Sequence, residues 1–160
     1  MFYITKLIVV GSLILIMSGC GNSNDANQGS QGQEEAQQAE NLRALEEKTM
    51  AVHDSIMPQM DSLMRLKQRL QTRLKKEDGG NKEAMKRQVD SLSAAREAMM
   101  NWMSRYSKEY KRLPDSAATS AKAEQLQRLN QDIRTLKKQW DQTLRNSVEL
   151  LKVEKGQKPK

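Results

Sequence analysis

The sequence predicts an all-α protein, an antiparallel three-helix bundle or coiled coil with long helices that follows a signal peptide and a disordered tether. Three observations lead to this prediction. From residue 41 onward, apolar residues recur at intervals of three and four, which is the period of a helix and not of a strand. Two turn signals, Asp78-Gly79-Gly80-Asn81 and Pro114, divide this pattern into three segments. Short connections between long helices favour antiparallel neighbours.

Residues 1–19 have the layout of a bacterial lipoprotein signal peptide. Lys6 supplies a positive charge, residues 7–17 form an apolar run, and Met17-Ser18-Gly19-Cys20 resembles a lipobox in which methionine replaces the usual leucine. The run is shorter than the roughly 20 apolar residues of a membrane-spanning helix. We therefore expect cleavage before Cys20, the alternative being an uncleaved anchor with an incidental cysteine.

Cys20 is the only cysteine, so an intrachain disulfide is excluded and lipid attachment explains the residue best. Each buried acyl CH₂ contributes about 0.8 kcal/mol, so two or three acyl chains attach a protein durably. We expect a lipid-anchored protein of the bacterial cell envelope. Gly21 differs from the acidic retention signal of enteric inner-membrane lipoproteins, and by that resemblance the outer membrane is favoured.

Residues 20–40 are predicted to form a lipid-anchored flexible linker, because they include no large apolar residue that would favour an ordered core. As a coil, these residues would have a reach of about 25 Å. The basic residues 153–160 are predicted to form a disordered tail.

The helical bundle domain is predicted to span residues 41–152. The first apolar stripe comprises Leu42, Leu45, Val52, Ile56, Met60, Leu63, Leu70 and Leu74. The second comprises Met85, Val89, Leu92, Met99, Met103, Tyr106, Tyr110 and Leu113. The third comprises Leu126, Leu129, Ile133, Leu136, Trp140, Leu144, Val148 and Leu151, and Asp115 and Ser116 are its candidate caps. Aromatic residues make up only 4% of the chain, so we expect a slender core.

Pro58 lies inside the first helical pattern. Proline lacks a backbone N–H and frees the carbonyl four residues earlier, that of Asp54, so we expect a kink or break here. A purely architectural role and a simple helix junction both fit this position.

Sulfur-containing side chains collect around Pro58 and in the second stripe. At 100° per residue, the methionines on the first helix share one face with His53, and pairing about the Gly79-Gly80 turn places Met57 level with Asn101 and His53 level with Arg105. One interpretation is flexible core packing that needs no cofactor. The other is a Cu(I) site, because thioethers and imidazole are soft ligands. The candidate ligands are His53, Met57, Met60, Met99, Met100 and Met103.

The sequence gives little support for zinc binding, phosphate binding or catalysis. His53 is the only histidine, so a zinc site would need carboxylate help from Asp54. Glycine-rich phosphate loops and CxxC pairs are absent, and we expect no catalytic role. The formal charge is +7. A basic chain often binds nucleic acid, but export excludes that partner. The charge then favours an envelope protein or an anionic lipid or glycan as partner, in addition to the membrane itself.

The segments MAVHDSIMPQM and AMMNWMSRY together resemble a group of small lipoproteins of Bacteroidetes-type bacteria that carry the name "viral A-type inclusion protein". The resemblance covers about residues 41–152. Its motif matches at His53, Asp54, Met57, Pro58, Met60, Met99, Met100, Trp102 and Met103. It implies an envelope location and a helical fold, and it supplies no catalytic residues. We expect a lipid-anchored helical protein with an interaction or scaffolding role, the alternative being a Cu(I)-binding or copper-buffering lipoprotein.

Overall fold

The computed structural model describes residues 26–114 and 117–156, with side-chain surroundings for residues 32–114 and 117–152. It confirms the all-α bundle: these residues form three long helical rods and no strand. The predicted signal peptide, Cys20 and the candidate caps Asp115 and Ser116 lie outside the described residues. No helix in the described part of the chain combines the length and the apolar character needed to cross a membrane.

The first rod consists of α1 (Ala26–Ile56), a single 3₁₀ turn (Met57–Gln59) and α2 (Met60–Leu74). The second rod runs back as α3 (Lys82–Arg105) and continues as a π-helix (Tyr106–Lys111). The third is α4 (Thr119–Gly156), which packs against all of α1, α2 and α3. The chain thus runs up, down and up again, as predicted.

The core is a narrow seam in which fully buried residues repeat every seven positions. A repeat of seven keeps one stripe of each helix facing its neighbours, as in coiled coils. The repeat continues across the break at Pro58. Its members, all 0% exposed, are Thr49, Ile56, Leu63 and Leu70 on the first rod, Met85, Leu92 and Met99 on α3, and Leu126, Ile133, Trp140 and Ser147 on α4.

The prediction of a flexible linker over residues 20–40 is wrong for residues 26–40, which form the first turns of α1. Their side chains from residue 32 to residue 41 are exposed, so packing does not account for the helix. Alanine, glutamine and glutamate are good helix formers, and extending an existing helix costs far less than nucleating one. Likewise, residues 153–156 of the predicted tail belong to α4, and residues 157–160 lie outside the described part.

The predicted break at Pro58 is confirmed by the 3₁₀ turn, which separates α1 from α2 without a buried residue of its own. Proline cannot donate to the helix, so nearby carbonyls need other partners. Gln59 supplies one, because its Nε2 donates to the Ser55 carbonyl at 2.8 Å. The irregular turn begins at Met57, four residues after His53.

Hydrogen bonds from buried and partly buried side chains join α4 to the other two rods. Asn130 Nδ2 donates to Thr49 Oγ1 at 2.7 Å, and Thr49 in turn donates to the Leu45 carbonyl at 2.7 Å. Gln88 Nε2 donates to the Thr143 carbonyl at 2.9 Å. A slide of one helix along another would leave these groups unpaired, which costs about 1–3 kcal/mol for a buried group. They therefore fix the register of α4.

Candidate functional site

The candidate site centres on His53, near the C-terminal end of α1. Its side chain is 15% exposed, so the imidazole lies at the edge of the core. On one side, Nδ1 lies 2.8 Å from Asp54 Oδ1. On the other side, Nε2 lies 3.3 Å from Met103 Sδ on α3. The site therefore bridges the first two rods.

The two neighbours of His53 determine which ring nitrogen carries the proton. An ionised carboxylate only accepts hydrogen bonds, so Nδ1 must donate to Asp54. In the neutral imidazole, Nε2 then carries a lone pair, and it faces a thioether sulfur that has no proton to give. In this tautomer, two electron-pair donors on different helices point at each other.

An aromatic row extends from His53 along α3 into the π-helix. The Trp102 ring stacks on the imidazole at 5.8 Å between centroids and on Tyr106 at 5.3 Å, and Tyr106 and Tyr110 are 5.4 Å apart. Trp102 is nearly buried, and its Nε1 donates to the Leu129 carbonyl of α4 at 2.9 Å. This bond fixes the orientation of the indole against His53.

Glu46 of α1 anchors the far end of this row. Its carboxylate accepts hydrogen bonds from Tyr106 Oη at 2.7 Å and Tyr110 Oη at 2.8 Å, and it lies 2.6 Å from Lys111 Nζ. All three partners belong to the π-helix, a rare element that occurs often at functional sites. Sequence reasoning placed both tyrosines in the apolar stripe but missed Glu46.

These contacts shift the ionisation of the groups involved. Burial alone would raise the pKa of Glu46, but the hydrogen bonds from Lys111, Tyr106 and Tyr110 outweigh it and hold the pKa below its usual 4.5. Burial and the hydrogen bond to Glu46 raise the pKa of Tyr106 and of Tyr110 above the usual 10.0. Around neutral pH, Glu46 is therefore a carboxylate, and Tyr106 and Tyr110 are neutral phenols.

The predicted methionines lie in four different environments. Met103 contacts the imidazole, and Met99 is fully buried in the core one turn earlier. Met57 and Met60 are partly buried against the core near the Pro58 break. Met100 is 46% exposed. It lies about 100° around the helix from Met99, on the solvent edge of α3.

His53 lies level with Met103. The sequence predicted that it would lie level with Arg105, and that prediction is wrong by two residues. The reason is the geometry of the hairpin. The helices end at Leu74 and begin at Lys82, so the turn is centred on Asp78 and not on the glycines that follow it. In an antiparallel pair, the numbers of two facing residues add up to twice the number of the residue at the centre of the turn. Moving that centre by one residue therefore changes the partner of every residue by two positions. The prediction that the two sulfur-rich stretches meet still holds at this one contact.

The clefts of the bundle are shallow. One of about 390 Å³ lies between α1 and the start of α4, where Leu42 and Ala123 contribute to its lining. Another of about 260 Å³, between α3 and α4, is lined in part by Trp102 and by the Arg105–Asp132 ion pair. In residues 26–114 and 117–156, no three His, Cys, Asp or Glu side chains are grouped to hold a metal ion.

The chain was compared with protein-family models, with curated proteins and with solved structures, and none of the three comparisons gave a match. Function is therefore inferred from the residues of this chain and their geometry.

Proposed function

We propose that this protein is a lipoprotein of the bacterial cell envelope, anchored by lipid on Cys20, whose helical bundle has an interaction or scaffolding role and no catalytic one. The observation that carries the proposal is the order of features at the N-terminus. A lysine, a short apolar run and two small residues precede the only cysteine of the chain. The helix α1 begins at Ala26, six residues after that cysteine.

The dimensions of the bundle support an interaction or scaffolding role. At 1.5 Å per residue, the 38 residues of α4 extend for about 57 Å. A rod of this length with a narrow core exposes much surface relative to its volume. The described clefts are open and shallow, whereas small-molecule sites usually enclose most of their ligand. Such a surface suits a macromolecular or membrane partner better than a small substrate.

The anchor would hold this rod near the membrane. Only residues 20–25 separate the first residue of α1 from the proposed lipid, and six residues span at most about 20 Å. The formal charge of +7 includes Lys6, so removal of the signal peptide leaves +6. That charge favours anionic lipid or glycan, or an acidic envelope protein, as the partner. Gly21 differs from the acidic residue that directly follows the cysteine in enteric inner-membrane lipoproteins, and by that resemblance we propose the outer membrane as the location.

Replacement of Cys20 by serine should abolish lipidation and leave the precursor uncleaved, because a hydroxyl cannot take the place of the thiol in lipoprotein processing. The measurement is metabolic labelling with a fatty-acid analogue, followed by fractionation of the envelope. Gly21→Ser is the matched control, since it alters the adjacent residue and keeps the thiol. Labelling of Cys20→Ser at the level of the wild type would show that Cys20 is not the anchor.

The interaction role is tested in the same three strains with an amine-reactive crosslinker applied to whole cells. We expect the wild type and Gly21→Ser to give discrete higher-mass species that are absent or weak in Cys20→Ser, since the unprocessed precursor would not reach the same partners. A wild-type protein that gives no such species while remaining anchored would contradict the interaction role and leave the anchor intact.

A further inference from the structure

We propose that His53 and Met103 are the first two ligands of a Cu(I) site that Trp102 borders and that Met57 completes. This inference goes beyond the lipid anchor and the interaction role, and it does not depend on either. It rests on three independent features of the described residues: the spacing of the two donor atoms, the carboxylate behind the imidazole and the indole beside it.

The donor spacing fits a shared metal ion. With a metal–nitrogen distance of about 2.0 Å and a metal–sulfur distance of about 2.3 Å, two donors at a tetrahedral angle lie about 3.5 Å apart. His53 Nε2 and Met103 Sδ are 3.3 Å apart. In the neutral tautomer that Asp54 selects, neither atom carries a proton, so a cation would stabilise two lone pairs that otherwise face each other. Binding would need only a small adjustment of the two side chains.

Asp54 provides the support that metal-bound histidines usually have. A ligating imidazole almost always donates its second N–H to a carboxylate, a carbonyl or water, which orients the ring and makes the ligating nitrogen more basic. His53 Nδ1 makes this contact with Asp54 Oδ1 at 2.8 Å. Asp54 is itself exposed, so it serves as an orienting group and not as a buried ligand.

Trp102 would border the bound ion. Its ring stacks on the imidazole and its orientation is fixed by the bond to the Leu129 carbonyl. The face of an indole attracts cations within about 6 Å of its centroid. The ring also covers one side of His53, so an ion bound there would be partly shielded from water. Such a site favours a singly charged soft ion over Zn(II).

The remaining methionines differ in what they can contribute. Met57 lies four residues after His53 on the same helical face and belongs to the irregular turn at Pro58. It is the best placed third thioether. Met100 is 46% exposed and three residues before Met103, so it can meet an incoming ion at the surface. Met99 packs in the core and is not assigned as a ligand.

The chemistry of this donor set selects the metal. Thioether sulfur is a soft ligand that favours Cu(I), and imidazole accepts copper readily. Zinc sites draw instead on thiolate, imidazole and carboxylate, and His53 is the only histidine of the chain. We therefore expect Cu(I) binding under reducing conditions and weak binding of Zn(II).

The test uses the full chain with Cys20→Ser, purified in detergent, because this substitution removes the only thiol and makes the result independent of lipidation. Cu(I) is offered under anaerobic, reducing conditions in competition with bicinchoninate. We expect one equivalent to be taken up. Met103→Leu and His53→Gln, made separately, should each weaken binding by more than about tenfold. Leucine nearly conserves the volume of methionine, so Met103→Leu should remain folded, which far-UV circular dichroism verifies.

Met85→Leu is the matched control. Met85 is a buried methionine of the same helix, 18 residues before Met103 and therefore about 27 Å away along α3. The Met85→Leu variant should bind Cu(I) as tightly as the protein without this substitution. A protein that takes up no Cu(I), or one whose uptake survives both Met103→Leu and His53→Gln, would overturn the proposal and leave the methionines as core packing. If Met85→Leu weakened Cu(I) binding as much as Met103→Leu, the proposal would also be overturned. Loss of protein stability, rather than loss of a ligand, would then explain both results.

Fluorescence of Trp102 gives a local readout. The chain contains two tryptophans, so Trp140→Phe leaves Trp102 as the only one. We expect its emission to be quenched in proportion to added Cu(I) and to reach a plateau at one equivalent, with no change on addition of Zn(II). Uptake of copper without any change in Trp102 emission would place the ion elsewhere and contradict the assigned site.

Discussion

Replacement of Trp140 by alanine is expected to lower the free energy of unfolding by about 3–5 kcal/mol, the range for removing a large aromatic side chain from a core. Trp140 is 0% exposed and belongs to the buried stripe of α4 that repeats every seven residues and faces both other rods. In a core this narrow, few neighbouring side chains can move to fill the space left by an indole. Denaturant unfolding followed by far-UV circular dichroism measures the loss.

Trp140→Phe is the informative companion variant. Among the residues that the structure describes, the Trp140 Nε1–H is buried and has no hydrogen-bond acceptor. Phenylalanine removes this unpaired donor while keeping a ring in the core, so we expect a loss below about 1.5 kcal/mol. Similar losses for the alanine and phenylalanine variants would contradict the assigned packing of Trp140.

Glu46→Gln is expected to lower the free energy of unfolding by about 2 kcal/mol at neutral pH, within the range for hydrogen bonds to a charged group. Glutamine keeps one oxygen acceptor but loses the charge that holds Lys111 and strengthens the bonds from Tyr106 and Tyr110. Glu47→Gln is the matched control, because it removes the same charge from the adjacent, exposed position and should have little effect.

The effect of Glu46→Gln should also depend on pH. The pKa of Glu46 is lower in the folded protein than its usual 4.5, so the folded state favours the carboxylate. The stabilisation is therefore fully present above pH 4.5 and is lost as the pH falls through the lowered value. The difference in stability between wild type and Glu46→Gln should be constant near neutrality and shrink in acid. A difference in stability that persists unchanged at low pH would show that the ionised carboxylate of Glu46 is not the source of the stabilisation.

The fold was predictable because three helices each carry one apolar stripe at a regular spacing. Residues such as Leu63, Leu92 and Ile133 are buried where this spacing places them. The helical start at Ala26 was not predictable from apolar content, because residues 32–41 are exposed and their helix depends on propensity and on continuity with a packed helix. The register error of two residues came from taking the glycines as the centre of a turn that is centred on Asp78.

The candidate site was predictable only in part. The helical face shared by His53 and Met57 follows from spacing along one helix, and the meeting with Met103 follows from antiparallel pairing. The hydrogen bonds from Tyr106 and Tyr110 to Glu46 join positions at least 60 residues apart, and spacing along one helix cannot reveal them. The four-residue steps from Trp102 to Tyr106 and Tyr110 were a signal for the aromatic row, because such residues stack along one helical face.

The central proposal, lipid anchoring at Cys20, is tested most directly by mass spectrometry of the N-terminal peptide of protein extracted from its native membranes. We expect the mature chain to begin at Cys20, with the 19 preceding residues removed and the cysteine carrying a diacylglyceryl group. An N-terminal peptide that begins at Met1, or that contains Cys20 without added lipid mass, would contradict the proposed anchor.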